Sequence, residues 1–210
     1  MFSPRDPDKV LGEVGSKVIE AIARATDGAR ADWQDLRQFK PSWIPPMSQR
    51  GVSNILHERI WAHCVDLLSG LDDEGITLID KEPVREIVLQ LPAGRTYRLR
   101  VKRHSTSMAI SSYPTPADVE FWSGSRQDSF DGLEEIHLAA GYRWDSELRS
   151  MAETVISFRE GKHSPQWMVE IAAAEPGSSV GPIVWSPITP RLPDIDLRRA
   201  SGIDEERESQ

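Results

Sequence analysis

Cysteine is almost missing from this chain: Cys64 is the one thiol among 210 residues. That excludes an intrachain disulfide framework and fits a reducing compartment. Long apolar runs are missing too, and none approaches the ~20 residues that cross a bilayer as a helix. The first residues, Met1 to Asp8, include Pro4, Arg5, Asp6 and Pro7 in place of an apolar signal core. A cytoplasmic location with no membrane partner is therefore expected. Metal-ligand spacing is absent. The five histidines form no His-Glu-x-x-His and no pair four apart, and a single cysteine cannot make Cys-x-x-Cys. Neither a nucleophile-elbow motif nor a glycine-rich phosphate loop occurs. Common metalloenzymes, serine hydrolases and nucleotide triphosphatases are disfavoured, and neither metal nor cofactor is expected. The nearest approach to a metal site is Glu160-Gly161-Lys162, half of a nuclease signature. Its upstream acidic candidate, Asp118, is better explained by a helix cap, and Gly161 falls in a hairpin turn that would hold a catalytic lysine poorly.

Positive charge is in deficit overall. Lys and Arg total 25 against 33 Asp and Glu, for a net charge of -8. Such a balance weighs against a whole-surface nucleic-acid binder, so any basic site has to be local and concentrated. Seven tryptophans and 39% hydrophobic residues are enough for one core.

One stretch is concentrated. Read as a strand, Arg95 to His104 puts Arg98, Arg100, Lys102 and His104 on one face and Tyr97, Leu99 and Val101 on the other. Apolar burial cannot explain the first set. It needs either acidic neighbours (Glu86, Glu134 and Glu135 are the candidates) or an anionic partner such as RNA, DNA or a phosphorylated ligand. In the second case Tyr113 or Trp144 offers an edge aromatic for stacking.

The rest of the chain places this strand. Asp6-Pro7 is a helix start, and Leu11, Val14, Val18, Ile22 and Ala25 form one helical face. Asp27-Gly28 is expected to interrupt it before a second piece over 29–39. Pro41 to Pro46 is a rigid connection, with Trp43 and Ile44 expected to dock on the core. A further helix from Ser48 or Ser53 to Ser69 buries Leu56, Ile60, Cys64 and Leu67, which makes Cys64 a small core residue. On its flank lies His57, within reach of the Arg/Lys face.

From residue 76 the period becomes alternating, and 76–80, 84–91 and 95–104 read as strands. A three-residue loop at Pro92-Ala93-Gly94 sets Leu89 opposite Tyr97, Ile87 opposite Leu99 and Glu86 opposite Arg100. A one-residue slip would mix the faces. Residues 109–113 are expected as a short strand, 116–124 as a helix with Val119 and Trp122 inward, and 134–144 as a strand. A hairpin of 154–160 with 165–173 pairs Phe158 with Trp167 and Ile156 with Val169. The reading is an α+β domain over 1–174. Its N-terminal helices (7–70) pack on a mainly antiparallel sheet (76–173) of five to seven strands. A Pro-rich and then acidic tail, 175–210, follows, partly disordered, with Ile183 to Trp185 able to pack back.

The segments Val52 to Glu58, Arg98 to Arg103, Ser112 to Thr115, Leu138 to Asp145 and Val155 to Gly161, followed by Trp167, carry a resemblance. Over about residues 48–172 the chain resembles uncharacterised bacterial and prophage proteins encoded beside helix-turn-helix regulators, some of them regarded as toxins of toxin–antitoxin pairs. The resemblance implies a cognate regulator or antitoxin as partner and a growth-inhibiting or phage-defence activity, and the strand reading adds the basic sheet face as the surface through which it acts. It implies no catalytic residue, so whether the protein is an enzyme stays open. The alternative is a non-enzymatic module whose sheet or Pro-rich tail docks a helix-turn-helix regulator.

Overall fold

In the computed structural model, residues 3–71, 75–81, 84–92, 94–111, 115–123, 134–161, 163–172 and 185–188 are described. Helix α1 (Pro7–Val14) begins where Asp6 accepts a hydrogen bond from the Lys9 amide, with Pro7 in the first turn. It ends at Gly15, whose φ of +83° is open to glycine but strained for other residues. Helix α2 (Ser16–Phe39) then runs through Asp27-Gly28 without a break. Gly28 is a close-approach residue and not a stop. A Cβ there would lie 2.8 Å from His63 Nε2 on helix α3 (Gln49–Leu68). The break expected at Asp27-Gly28 falls instead at Gly15. Gly15 needs the left-handed backbone, and Gly28 needs the missing side chain.

Between α2 and α3, Pro41–Trp43 forms one 3-10 turn. Ile44 docks on the core as expected, but Trp43 points out and is 55% exposed. Ser48 caps α3 by accepting from the Gly51 amide at 3.1 Å, an arrangement worth about 1 kcal/mol.

Seven strands follow among the described residues: β1 (Ile76–Lys81), β2 (Val84–Gln90), β3 (Thr96–His104), β4 (Glu135–Asp145), β5 (Ser150–Phe158), β6 (Trp167–Ile171) and β7 (Trp185–Pro187). They lie side by side in chain order in one sheet. The β2–β3 register pairs Glu86 with Arg100, Ile87 with Leu99 and Leu89 with Tyr97, and β5–β6 pairs Phe158 with Trp167 and Ile156 with Val169. Both registers keep the apolar faces intact. The protein is α+β with a mainly antiparallel sheet.

Three details differ from the pattern reading. Strands β3 and β4 pair in parallel, which requires a crossover, and helix α4 (Pro116–Ser123) lies within it. Strand β5 begins four residues earlier than its apolar alternation suggested, because Ser150 and Met151 already pair with Asp145 and Trp144. At 109–111 only Ile110 bridges to His104, and Tyr113 lies outside the described residues. So do Ile183 and Val184, although Trp185–Pro187 joins the sheet as β7.

The inner face of the sheet, carrying Ile87, Leu89, Tyr97, Leu99, Ile136, Leu138, Ile156 and Val169, shares one buried core with α1, α2 and α3. Tyr97 ends in a hydrogen bond donated to Glu13 at 2.6 Å, and Glu13 also receives Arg95. The outer face is covered in part by α4, where Phe121 and Trp122 are buried with Ile110 and Ala139. Val119, expected inward, is exposed, and Phe121 takes the inward place. Gly141 sits on β4 with φ +149°, where a Cβ would run into the Lys102 carbonyl oxygen. Gly141→Ala is therefore expected to cost ~3 kcal/mol or more in chemical denaturation, because both strand backbones would have to part. Gly12→Ala, at a helix position with open space, is expected to be neutral or slightly stabilising.

Candidate functional site

On the outer face, β2 and β3 bring Glu86 beneath Arg98 and Arg100. The Glu86 side chain has 0% exposure. Its Oε1 accepts from Arg100 Nε at 2.7 Å and Nη2 at 2.5 Å. Its Oε2 accepts from Arg98 Nε at 2.7 Å and also from Nη2. Each arginine then reaches a second acid. Arg100 Nη1 donates to Asp118 at 2.7 Å, and Arg98 Nη1 donates to Glu135 at 3.2 Å. Asp118 stands in the first turn of α4, where its amide donates to the Thr115 hydroxyl. The Arg100 guanidinium lies 3.6 Å from the Phe121 ring centroid, and that ring stacks on His137 at 4.1 Å. His137 in turn meets the Phe121 carbonyl and Glu135. Burial opposes ionisation of Glu135. The His137 and Arg98 contacts outweigh it and hold the carboxyl below its ordinary range. Arg98 and Arg100 thus meet acidic neighbours within the protein, from β2, β4 and α4.

Farther along β3 the compensation runs out. Glu86–Arg100 is the last pair between β2 and β3, and beyond it a cleft of about 990 Å³ opens between α3, β3, the 109–111 segment and the start of α4. Five cationic side chains (Arg50, Arg85, Arg100, Lys102, Arg103) and two carboxylates (Glu58, Asp118) line it. Arg85 is engaged by Glu58 at 2.7 Å and Asp80 at 2.9 Å. Lys102 has Asp118 at 3.8 Å, an acid that already accepts from Arg100. Arg103 is held by hydroxyls alone among the described residues. Its Nη1 donates to Ser53 at 2.8 Å, while its Nε and Nη2 donate to Ser111 at 3.2 and 2.7 Å. These serines orient the guanidinium and leave its charge uncancelled.

His57 enters the cleft from α3. Burial, then the charges of Arg85 and Lys102, push its imidazole below its ordinary value, against Glu58 and Asp80. Burial likewise lowers the Lys102 ammonium, with Asp118 pulling it back. Anionic charge placed here would reverse both trends.

The strand face read from sequence thus divides. Arg98 belongs to the Glu86 network, Arg100 to that network and the cleft wall, and Lys102 and His57 to the cleft. His104 is fully enclosed. Its Nε2 lies 3.0 Å from Ser157 Oγ, which also accepts from the buried Arg159 guanidinium. Burial, with Arg159 nearby, pushes the His104 imidazole down to about 3. Sequence reasoning passed over Arg103, which alternation assigned to the apolar face, and the serines that hold it. It also set Asp118 aside as a helix cap, whereas the side chain is the shared acid between network and cleft. Cys64 is buried in the core, and burial pushes its thiol up to about 12, well above the range of a reactive thiolate.

Among the described residues no group of three or more His, Cys, Asp or Glu side chains is arranged to hold a metal ion. No helix there is long and apolar enough to cross a membrane. Lys162, the third residue of the half-signature, lies outside the described residues. No family model, no curated protein and no solved structure matches the chain.

Removing Glu86 leaves two guanidinium groups against a buried void. Glu86→Ala is expected to cost ~3–5 kcal/mol in equilibrium unfolding. Because the His104 value is depressed in the fold, neutral His104 favours the folded state above the unfolded value of 6.5. That contribution is lost as pH falls from about 6.5 toward 3, at up to about 1.4 kcal/mol per pH unit. His104→Gln is expected to flatten the acid limb of a melting-temperature-versus-pH profile, as one proton fewer is taken up on unfolding.

Proposed function

We propose that the protein is a toxin-like or phage-defence factor that acts through this cleft on a phosphorylated ligand or a nucleic-acid phosphate, with a regulator protein as its cognate partner. The observation that carries the chemistry is the uncancelled charge at the end of β3. Lys102 has one shared acid at 3.8 Å, and Arg103 is oriented by Ser53 and Ser111. Arginine fixed by neutral acceptors, beside lysine in a partly desolvated cleft, matches the donors that phosphate oxygens require. The volume, about 990 Å³, is at the upper end of the range for small-molecule sites. The biological setting rests on the resemblance of residues 48–172 and not on the geometry.

A second reading, a module that docks a helix-turn-helix regulator, has its own observation. Phe39 and Trp43 are 75% and 55% exposed, and the Lys40 ammonium sits 4.9 and 5.9 Å from their ring centroids. Large exposed aromatics beside a cation resemble the anchors of protein interfaces.

Induced expression of the chain alone is expected to arrest growth, and expression of the adjacent regulator to relieve the arrest. Lys102→Glu with Arg103→Glu is expected to abolish the arrest at an unchanged protein level, and the neutral pair Lys102→Met with Arg103→Gln to weaken it. Arrest undiminished in both pairs would reject the cleft. Harmless expression of the native chain, with a regulator complex lost on Trp43→Ala, would favour docking instead.

A further inference from the structure

The balance of charge and shape narrows the ligand. Lys102 and Arg103 bring about two positive charges that, among the described residues, no dedicated carboxylate cancels. That matches a phosphate carrying close to two negative charges, as a terminal phosphomonoester does, better than the single charge of a phosphodiester. Arg103 comes from the inner-face set of β3 and Lys102 from the outer-face set, so the two side chains approach the cleft from opposite sides of the strand. His57 comes from α3. Val84, Val101 and Ile110 also line the cleft and offer apolar contact to the organic body of such a ligand.

Resting on the reading of the cleft as an anion site, we propose that its ligand is a nucleotide-sized phosphomonoester, whose dianionic phosphate is gripped between Lys102 and Arg103 and draws a proton from solvent onto His57 as it binds. No covalent bond changes; the reaction is binding coupled to uptake of a proton by the imidazole. The groups that act on His57 come from four elements. Glu58 lies on α3, Asp80 on β1, Arg85 on β2 and Lys102 on β3, and Arg50, Arg100, Arg103, Asp118 and His163 also line the cleft. In the free protein burial and the two cations keep the ring neutral near pH 7. A dianion beside Lys102 and Arg103 offsets those cations and supplies an acceptor, so the ring is more basic in the complex. On the protein side affinity therefore rises as pH falls through the complex's own value, until near pH ~6 the ligand's phosphate itself takes up a proton and the dianion is lost.

Isothermal titration of the full chain with adenosine 5′-monophosphate, its 3′,5′-cyclic diester, adenosine and inorganic phosphate tests this, each at pH 7 and 8 in two buffers of different ionisation enthalpy. The monophosphate is expected to bind at least ~10-fold more tightly than the cyclic diester, adenosine not to bind, and between zero and one proton to be taken up. His57→Asn is expected to remove the uptake while binding persists, and Arg103→Gln to lower affinity ~10-fold or more, with partial recovery in Arg103→Lys. Monophosphate binding without proton uptake, or equal affinity for the cyclic diester, overturns the present inference and leaves the anion site standing. Tight binding of a single-stranded oligonucleotide lacking terminal phosphates, with none of the monophosphate, overturns it in favour of a nucleic-acid backbone. Failure of inorganic phosphate and of every phosphorylated probe to bind the native chain overturns the anion reading itself. The comparisons on native protein decide these outcomes even if a variant fails to fold.

Discussion

The carboxylate of Glu86 has no exposure, and a lone charge in that position would cost several kcal/mol. It is tolerated because Arg98 and Arg100 each give it two donors. Those donors are in place only while Glu86 pairs with Arg100 across β2 and β3. The same register holds Ile87 and Leu89 against Leu99 and Tyr97 on the inner face, under the helices. A slip by one residue would expose the apolar set and carry Glu86 into the core. Apolar packing on one face and ion pairing on the other are therefore a single constraint. Helix α4 is bound into it through Asp118 and Phe121, so the crossover between the parallel strands β3 and β4 is seated by the same charges.

This constraint sorts the cations of β3. Where Glu86, Asp118 and Glu135 are available, the arginines form part of the structure. Past the last β2–β3 pair, among the described residues, the remaining cations of β3 are held by serine hydroxyls or share Asp118 at longer range. Hydroxyls can orient a guanidinium without neutralising it, which leaves charge available to a ligand. An acidic protein, at net charge -8, thereby concentrates positive potential in one recess.

Much of the architecture was legible in the sequence because it depends on periodicity. Alternation alone yields the β2–β3 and β5–β6 registers, and Ser48 and Asp6 mark their helices. The site was less legible. Alternation placed Arg98, Arg100, Lys102 and His104 on one face, and the structure keeps that order. Burial is not alternation, however. It depends on what covers the face, and the 105–111 segment with Ser157 and Arg159 encloses His104, while Lys102 stays at the cleft. Arg103 was hidden for the opposite reason, since it lies beyond the point where the inner face is apolar. Gly15 and Gly28 are alike in sequence, and only the backbone angle at one and the His63 ring against the other tell them apart. Parallel pairing of β3 with β4 has no short-range signature at all.

The central claim is that the strand's cations divide into a structural pair and a ligand-binding pair. Side-chain NMR of the arginine Nε–H groups during titration with adenosine 5′-monophosphate addresses it in one experiment. The account predicts that the Arg103 resonance moves with ligand while those of Arg98 and Arg100, locked onto Glu86, stay in place. Movement of the Arg98 and Arg100 signals with Arg103 unaffected would contradict it.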